Sequence, residues 1–416
     1  MPASRQARAK ISPFNRPHRK ESMFESMQPA PKDKILALLA QFREDPRPHK
    51  VDLGVGVYKD EEGRTPVMRA IRAAERRLHE GQDTKTYVGL QGDRDFCEEM
   101  GRLVLGDALP AERLRICQAP GGSGALSILA MMLRRARPDA TLWLSDPSWP
   151  NHVPLLTNAG LKTQPYPYYD AATGTILFDE MIAALSAAEP GDILLLHGCC
   201  HNPTGADLDL EQWQAVTDLC LDKQLLPFID FAYLGFGDGL DDDAAGLRLM
   251  ASQVPEMVIA ASCSKNFAVY RDRVGAAMVI GRDAAEADAA FSHLLSVTRS
   301  VYSMPPDHGA AVVRLVLTDP DLAADWRDEL EEMRRRMETL RQDFADALRR
   351  ASNSGRFDFI ADQKGMFSRL GLTPEQVEQL REDHGIYVIG DSRINVAGLP
   401  GDRLNDVARA IVAVIE

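Results

Sequence analysis

The chain has 416 residues, too many for one small core and enough for two or three domains. With 45% hydrophobic and 26% charged residues it reads as globular, and a formal net charge of −13 argues against nucleic acid or an anionic membrane as the main partner. No apolar run approaches the roughly 18 residues of a membrane span, and Cys97, Cys117, Cys199, Cys200, Cys220 and Cys263 lack disulfide-framework spacing, so a reducing, cytoplasmic setting is expected.

Residues 1–22 stand apart as a basic arm, with Arg5, Arg8, Lys10, Arg16, Arg19 and Lys20 and no acid among the first twenty. Such a start is compatible with an organelle transit peptide, but Pro2, Pro13 and Pro17 spoil an amphipathic helix. A disordered arm, or an upstream start codon with Met23 as the functional beginning, is the preferred reading. Residues 32–43 carry a helical apolar pattern ending before Pro46, residues 51–63 read as a strand or extended turn, and 66–80 and 92–105 read as helices. Strand-sized apolar runs follow at 141–145, 192–198, 225–230, 257–262 and 275–281, with helical stretches at 124–136, 177–188 and 209–223 between several of them. This alternation predicts an α/β domain with a mostly parallel sheet covered on both faces, whose ligands lie at the carboxyl ends of the strands. Residues 308–352 read as one long helix, and 356–416 as a smaller α+β unit with short strands at FDFIA, MFSRL, GIYVI and RINVAG. The expected division is the arm (1–22), an N-terminal segment shared with the small domain (23–60), a large domain (61–315), and a connecting helix with the small domain (316–416).

Four strings carry candidate chemistry. Lys265, in ASCSKNFAVYRDRVG, follows an apolar strand, and a lysine near apolar walls and other cations has a depressed pKa and a nucleophilic amine. Most lysines are solvated surface groups, so this string alone does not identify one. PGGSGAL (120–126) suits an anion, because glycines admit backbone amides, Ser123 donates, and a following helix aims its positive end at a phosphate. It is neither a Walker loop nor a dinucleotide fingerprint, and a plain glycine turn fits it as well. Asp230 ends the run LLPFID, where a carboxylate is placed to keep a pyridine nitrogen protonated, and Tyr233 three residues on is placed to reach a phenolic oxygen; an Asp-turn is the ordinary alternative. HGCCHNPTG (197–205) holds His197, Cys199, Cys200 and His201, which resemble soft metal ligands. Their spacing is not that of a zinc site, no second CxxC exists, and no metal is expected there.

Taken in order, GVGVYKDEEG, KTYVGLQG, APGGSGAL, DPSWPNH, HGCCHNPTG, DFAYLGF, SCSKNFAVYRDRVG, YSMPPDHG, GMFSRLGL and RINVAG resemble the motifs of class I pyridoxal-phosphate aminotransferases, of the aspartate and aromatic amino acid subgroup. The resemblance spans 23–416. It implies the fold-type-I transferase architecture, a large domain with a mostly parallel seven-stranded sheet between helices and a smaller α+β domain. It also implies pyridoxal 5'-phosphate as cofactor and ping-pong aldimine/ketimine transamination on Lys265.

Position by position, the resemblance makes Lys265 the imine-forming amine and proton shuttle, Asp230 the partner of the pyridinium nitrogen, and Asn202 and Tyr233 the partners of the ring's phenolic oxygen. Trp149 matches the aromatic that stacks on the ring. Gly122, Ser123, Ser262, Ser264 and Arg273 match the phosphate cup, with Tyr87 reaching it across a dimer interface. Arg393 matches the fork that grips the substrate's α-carboxylate and Arg299 the one that reaches a side-chain carboxylate from the neighbouring subunit; Gly56 and Phe367 line the substrate. The implied assembly is a homodimer with shared active sites.

Three positions depart from the aspartate-selective pattern: Met304 stands where Asn is typical, Ser123 where Thr is frequent, and Thr86 where Asn is common; Lys59 is the aspartate-type choice. Fewer polar groups near Arg299 would let an aromatic ring in, so use of aspartate or glutamate and also of phenylalanine or tyrosine is expected, with 2-oxoglutarate as a suitable acceptor. Decarboxylase or lyase chemistry on the same fold, a catalytically dead binding protein, and a zinc protein are the competing readings.

Overall fold

The computed structural model describes residues 24–25, 27–29 and 34–415. The basic arm lies outside the described residues.

Seven strands form one sheet, in the spatial order Leu114–Pro120, Val274–Ile280, Met257–Ser262, Leu226–Phe231, Ile193–His197, Thr141–Asp146, Lys162–Pro167. Only Val274–Ile280 runs antiparallel to its neighbours; the other adjacent pairs are parallel. MVIAAS and VGAAMVI are buried at every position, as strands covered on both faces must be. Two sheet members escape the apolar-run reading for opposite reasons. LRICQAP is buried at its centre but interrupted by Arg115 and Gln118, while KTQPYP is a polar edge strand whose Pro165 and Pro167 are tolerated because an edge needs fewer ladder donors. The helices Leu240–Gln253 and Ala284–Val301 lie outside the helical stretches expected from the sequence, and both pack apolar stripes beneath polar faces.

The expected helix over 308–352 is two helices, His308–Thr318 and Pro320–Ser352. Pro320 has no N–H and forces the residue before it out of helical geometry, and Asp319 then caps the second helix, accepting from the backbone N–H groups of Asp321 (3.1 Å) and Leu322 (3.0 Å). The long helix presents Leu322, Trp326, Leu330, Met333 and Met337 to the core under the sheet. Further along, Leu340, Phe344, Ala347 and Leu348 face a separate core formed with C-terminal residues such as Ile394, Val407 and Ile411. FDFIA is not a strand: Phe359–Asp362 is a single helical turn, with Phe357 and Ile360 buried at helical spacing. GIYVI contributes only Ile386–Tyr387, which pairs in parallel with Val51–Asp52, and Phe367–Arg369 pairs antiparallel with Arg393–Asn395. No helix among the described residues is long and apolar enough to cross a membrane.

Candidate active site

A cleft of about 250 Å³ opens at the carboxyl ends of the parallel strands, and its walls bring together residues from distant parts of the chain, from Ile35 to Arg393. Asp230 and His197 stand opposite each other in register, at the ends of the Leu226–Phe231 and Ile193–His197 strands. Met257–Ser262 delivers Ser262, Ser264 and Lys265, and Leu114–Pro120 runs straight into the helix Gly121–Ala136, whose first turn carries Gly122 and Ser123. The turn Arg273 adopts lies at φ +57, next to the Val274–Ile280 strand.

Lys265 opens to the cleft on one side and is otherwise enclosed. Its Nζ lies 4.8 Å from the centroid of the Tyr233 ring, and the next residue along is tied down, since Trp326 Nε1 donates to the Asn266 carbonyl (2.8 Å) while Phe267 stacks on Trp326 at 4.4 Å. Burial pushes the Lys265 amine down to about 8, with Arg273 adding to the shift and Asp230 opposing it. The Asp230 carboxylate is buried, which pushes its pKa up; the hydrogen bond from His152 and the nearby charge of Lys265 outweigh that, and the net position is below the ordinary carboxylate value. His152 Nε2 donates to Asp230 Oδ2 (2.9 Å), and its Nδ1 lies 2.9 Å from Ser148 Oγ. Because a carboxylate only accepts, Nε2 carries the proton.

At the other end of the cleft the groups suit an anion. Arg273 Nη1 donates to Ser264 Oγ (3.3 Å) and Ser262 Oγ accepts from the Ser264 N–H (3.2 Å). A side chain has no room here: a Cβ on Gly121 would sit 2.5 Å from Arg273 Nη2, and one on Gly122 3.0 Å from Ser262 Cβ. The result is helix-start amides beside two hydroxyls and a guanidinium, the donor set of a phosphate dianion. Trp149 forms a side wall, edge-on to His152 at 5.2 Å between ring centroids.

Arg393, only 3% exposed, supplies the opposite wall. Its Nη1 donates to Asn202 Oδ1 (3.2 Å) and its Nη2 to the Gly54 carbonyl (3.0 Å), while the buried Nε has no partner. Its guanidinium carbon lies 4.4 Å from the centroid of the Phe367 ring, and Phe367 meets Tyr233 edge-on at 5.8 Å. Gly56 is where that ring fits: a Cβ there would come 2.9 Å from Phe367 Cζ.

Thus Gly56, Gly122, Ser123, Trp149, Asn202, Asp230, Tyr233, Ser262, Ser264, Lys265, Arg273, Phe367 and Arg393 line one cleft. Tyr87 and Arg299 do not. Tyr87 is 85% exposed, and Arg299 lies near the end of the Ala284–Val301 helix, where its guanidinium donates to Ser303 Oγ. Lys59 points to Asp52, 3.0 Å from Oδ2, and Thr86 pairs with Thr84 at 2.9 Å between hydroxyls. Of the soft-ligand string, His197 clusters with His152 and Asp230, whereas Cys199 and Cys200 cluster with Asp243, so the string does not converge on one point. Sequence reasoning missed Ile35, Leu126, Ala232 and Tyr270 as cleft residues, and also His152, which stands behind the cleft wall against Asp230. His152 lies within the motif DPSWPNH, but only the strand order puts it beside Asp230.

An internal amine of depressed pKa, a buried acid backed by a histidine, an anion cradle at a helix start and a buried guanidinium fork together define a site for an anionic aldehyde cofactor and a carboxylate substrate. The model of the aminotransferase class I and II family matches residues 48–411, and the chain belongs to that family. It is 51% identical to the aromatic-amino-acid aminotransferase of Paracoccus denitrificans, over 94% of this chain and 100% of that one, and 45% identical to the aspartate aminotransferase of Escherichia coli (strain K12), again over 94% and 100%. Among solved structures, the aromatic-amino-acid aminotransferase of Burkholderia pseudomallei covalently bound to pyridoxal phosphate superposes with a TM-score of 0.92 at 44% identity, covering 95% of this chain and 100% of that one. The architecture is that of the fold-type-I transferases, and the chain is an aminotransferase.

Proposed function

We propose that the protein transfers amino groups between 2-oxo acids and two kinds of donor, aspartate or glutamate and phenylalanine or tyrosine, with Lys265 as the amine that holds and releases the cofactor. Pyridoxal phosphate is that cofactor; bound, it supplies an aldehyde that condenses with amines and a ring that draws electrons from the neighbouring carbon. The observation that carries the reading is the placement of Lys265 Nζ inside a cleft that has an anion cradle at one end and the Arg393 fork at the other.

The roles follow from the chain's own groups. Ser123, Ser262, Ser264, Arg273 and the amides at Gly122 would hold the phosphate. Asp230, kept ionised by His152, would hold a proton on the ring nitrogen, and Asn202 and Tyr233 would meet the phenolic oxygen. Trp149, on the cleft wall, would cover the ring face and exclude water. Arg393 Nε, buried and unpartnered, is free for a substrate carboxylate, and gripping that group favours transamination over carbon dioxide loss. Neutral Lys265 Nζ would take the proton from substrate Cα and deliver it to the cofactor's former aldehyde carbon, the shift that transamination requires.

The absence of Tyr87 and Arg299 from the cleft supports a shared-site assembly. Tyr87 and Arg299 act in a second copy's cleft, which makes the working unit a homodimer with shared sites. The large unit spans 61–315 and the small one 316–416 with part of 23–60, and the buried thiols suit a reducing cytoplasm. Half-buried Met304, near the Arg299 helix end, is soft enough to pack against an aromatic side chain, and relatives of both aromatic and aspartate type are equally extended matches.

Borohydride reduction of the cofactor-saturated protein, followed by peptide mass mapping, places the label on Lys265; a label on any other lysine overturns the assignment. Turnover of aspartate and of phenylalanine with 2-oxoglutarate fixes the donor range, and undetectable phenylalanine turnover removes the aromatic arm.

A further inference from the structure

Arg341 is a buried cation for which the chemistry above has no use. It is 3% exposed and sits on the Pro320–Ser352 helix between Met337, which belongs to the core under the sheet, and Phe344, which belongs to the C-terminal core. Burying a guanidinium is costly unless its donors are filled, and among the described residues Arg341 forms no ion pair. It fills its donors with main chain instead. Nε donates to the Gly365 carbonyl (3.2 Å), Nη1 to the Ile360 carbonyl (3.1 Å) and Ser368 Oγ (2.7 Å), and Nη2 to the carbonyls of Lys364 (3.0 Å), Gly365 (2.8 Å) and Phe367 (2.6 Å). One side chain therefore shapes the bend that leads into Phe367.

That bend reaches the cleft by two routes. The Lys364 N–H donates to the Gly205 carbonyl (2.7 Å), three residues beyond Asn202. The strand Phe367–Arg369 pairs with Arg393–Asn395, with Arg369 opposite Arg393, so the path that places the Phe367 ring also places the backbone of the residue it covers. The groups around Lys265, Asp230 and the anion cradle hang from the seven-stranded sheet and receive nothing from Arg341.

We infer that Arg341 is a positioning residue for carboxylate recognition: by gathering the carbonyls of Lys364, Gly365 and Phe367 it holds the Phe367 ring against Arg393 and sets the direction of the guanidinium fork. This rests on the role given to Arg393 above. Loss of Arg341 loosens the fork and leaves the cofactor cradle intact.

The test uses the cofactor-loaded protein with Arg341→Met, Arg341→Lys, Ser368→Ala and, in parallel, Arg393→Ala. Succinate, an unreactive dicarboxylate, is titrated by calorimetry, and KM and kcat for aspartate and the dissociation constant of the cofactor are measured beside it. Arg341→Met is expected to weaken succinate and raise KM by about tenfold, the loss of roughly one charge-assisted hydrogen bond, with kcat and cofactor affinity nearly unmoved. Arg341→Lys keeps the charge without the fork and recovers part of the loss. Ser368→Ala removes one acceptor from a well-packed position and gives a smaller change of the same kind, which serves if Arg341→Met does not fold. Unchanged succinate binding in Arg341→Met and Ser368→Ala, or a fall in cofactor affinity as large as the fall in succinate affinity, overturns the inference. If Arg393→Ala binds succinate as tightly as the parent, the reading of Arg393 fails instead.

Discussion

His152 and Asp230 are joined by a 2.9 Å hydrogen bond between two buried side chains, one from the start of the helix His152–Asn158 and the other from a strand end 78 positions away. The bond favours the ionised form of an acid that burial alone would push toward the protonated one, and so keeps a negative charge at the floor of the cleft.

Removing the charge at fixed shape isolates its contribution. Asp230→Asn keeps the size of the side chain and loses the ability to hold a proton on a ring nitrogen. Turnover is expected to fall by at least about a hundredfold, while KM changes by less than about fivefold. His152→Ala, which leaves Asp230 buried without its donor, is expected to fall by a smaller factor in the same direction. Steady-state rates for both variants check the order.

The amine of Lys265 sets a pH dependence for covalent capture of the cofactor. Its pKa, lowered to about 8, means that the neutral form grows tenfold per unit up to that value and levels off above it. An ordinary lysine would still be gaining neutral amine near pH 10, roughly its model-peptide value. The rate of cofactor uptake by stripped protein, followed by absorbance, should therefore bend near pH 8; a rate still climbing at pH 10 would contradict the depressed pKa.

Acid stability should carry the signature of His197. Burial, with the nearby His152, pushes its pKa to about 3, and His201 is driven below its ordinary value by burial too. The unfolded chain takes up these protons near pH 6.5, its roughly unperturbed histidine value, so below that the unfolded state binds more protons and stability falls as the pH falls toward 3. The stabilisation is complete above the unfolded pKa. His197→Phe, at a ring whose Nε2 has no partner, should reduce the loss of stability between pH 7 and pH 5 by about 2 kcal/mol in urea titrations. An unchanged slope would remove His197 from the acid response.

Shared sites predict complementation. Lys265→Ala lacks the cofactor amine, and Arg299→Ala lacks the group assigned to the neighbouring cleft. Unfolded together and refolded at random, half of the dimers are mixed and each carries one intact site, so about a quarter of parental aspartate turnover should return. Recovery no greater than the sum of the separate variants would mean that Arg299 works within its own subunit.

Donor choice should respond to residue 304. Met304→Asn restores a polar group near the Arg299 helix end and is expected to lower the efficiency on phenylalanine relative to aspartate by roughly a factor of ten, the order of one hydrogen-bonding group in a pocket. The ratio of kcat/KM values for the two donors, before and after the change, decides it.

Residue type and local order determined a large part of this protein. Apolar runs such as MVIAAS and VGAAMVI are legible because a strand covered on both faces must be apolar throughout, and ordered motifs around Lys265, Asp230 and Arg393 named the chemistry because each demands a particular side chain. Local reasoning failed where burial was incomplete or where a neighbour intervened. KTQPYP looks like loop because an edge strand is polar, FDFIA looks like strand although it forms a helical turn, and Pro320 divides a pattern that reads as continuous. The partnership of His152 with Asp230, the crown of carbonyls around Arg341 and the exclusion of Tyr87 and Arg299 from the cleft were decided only by the tertiary structure. Pattern along the chain reports which face of an element is buried; which distant side chains then meet depends on strand order and crossover, and no local sequence preference encodes that.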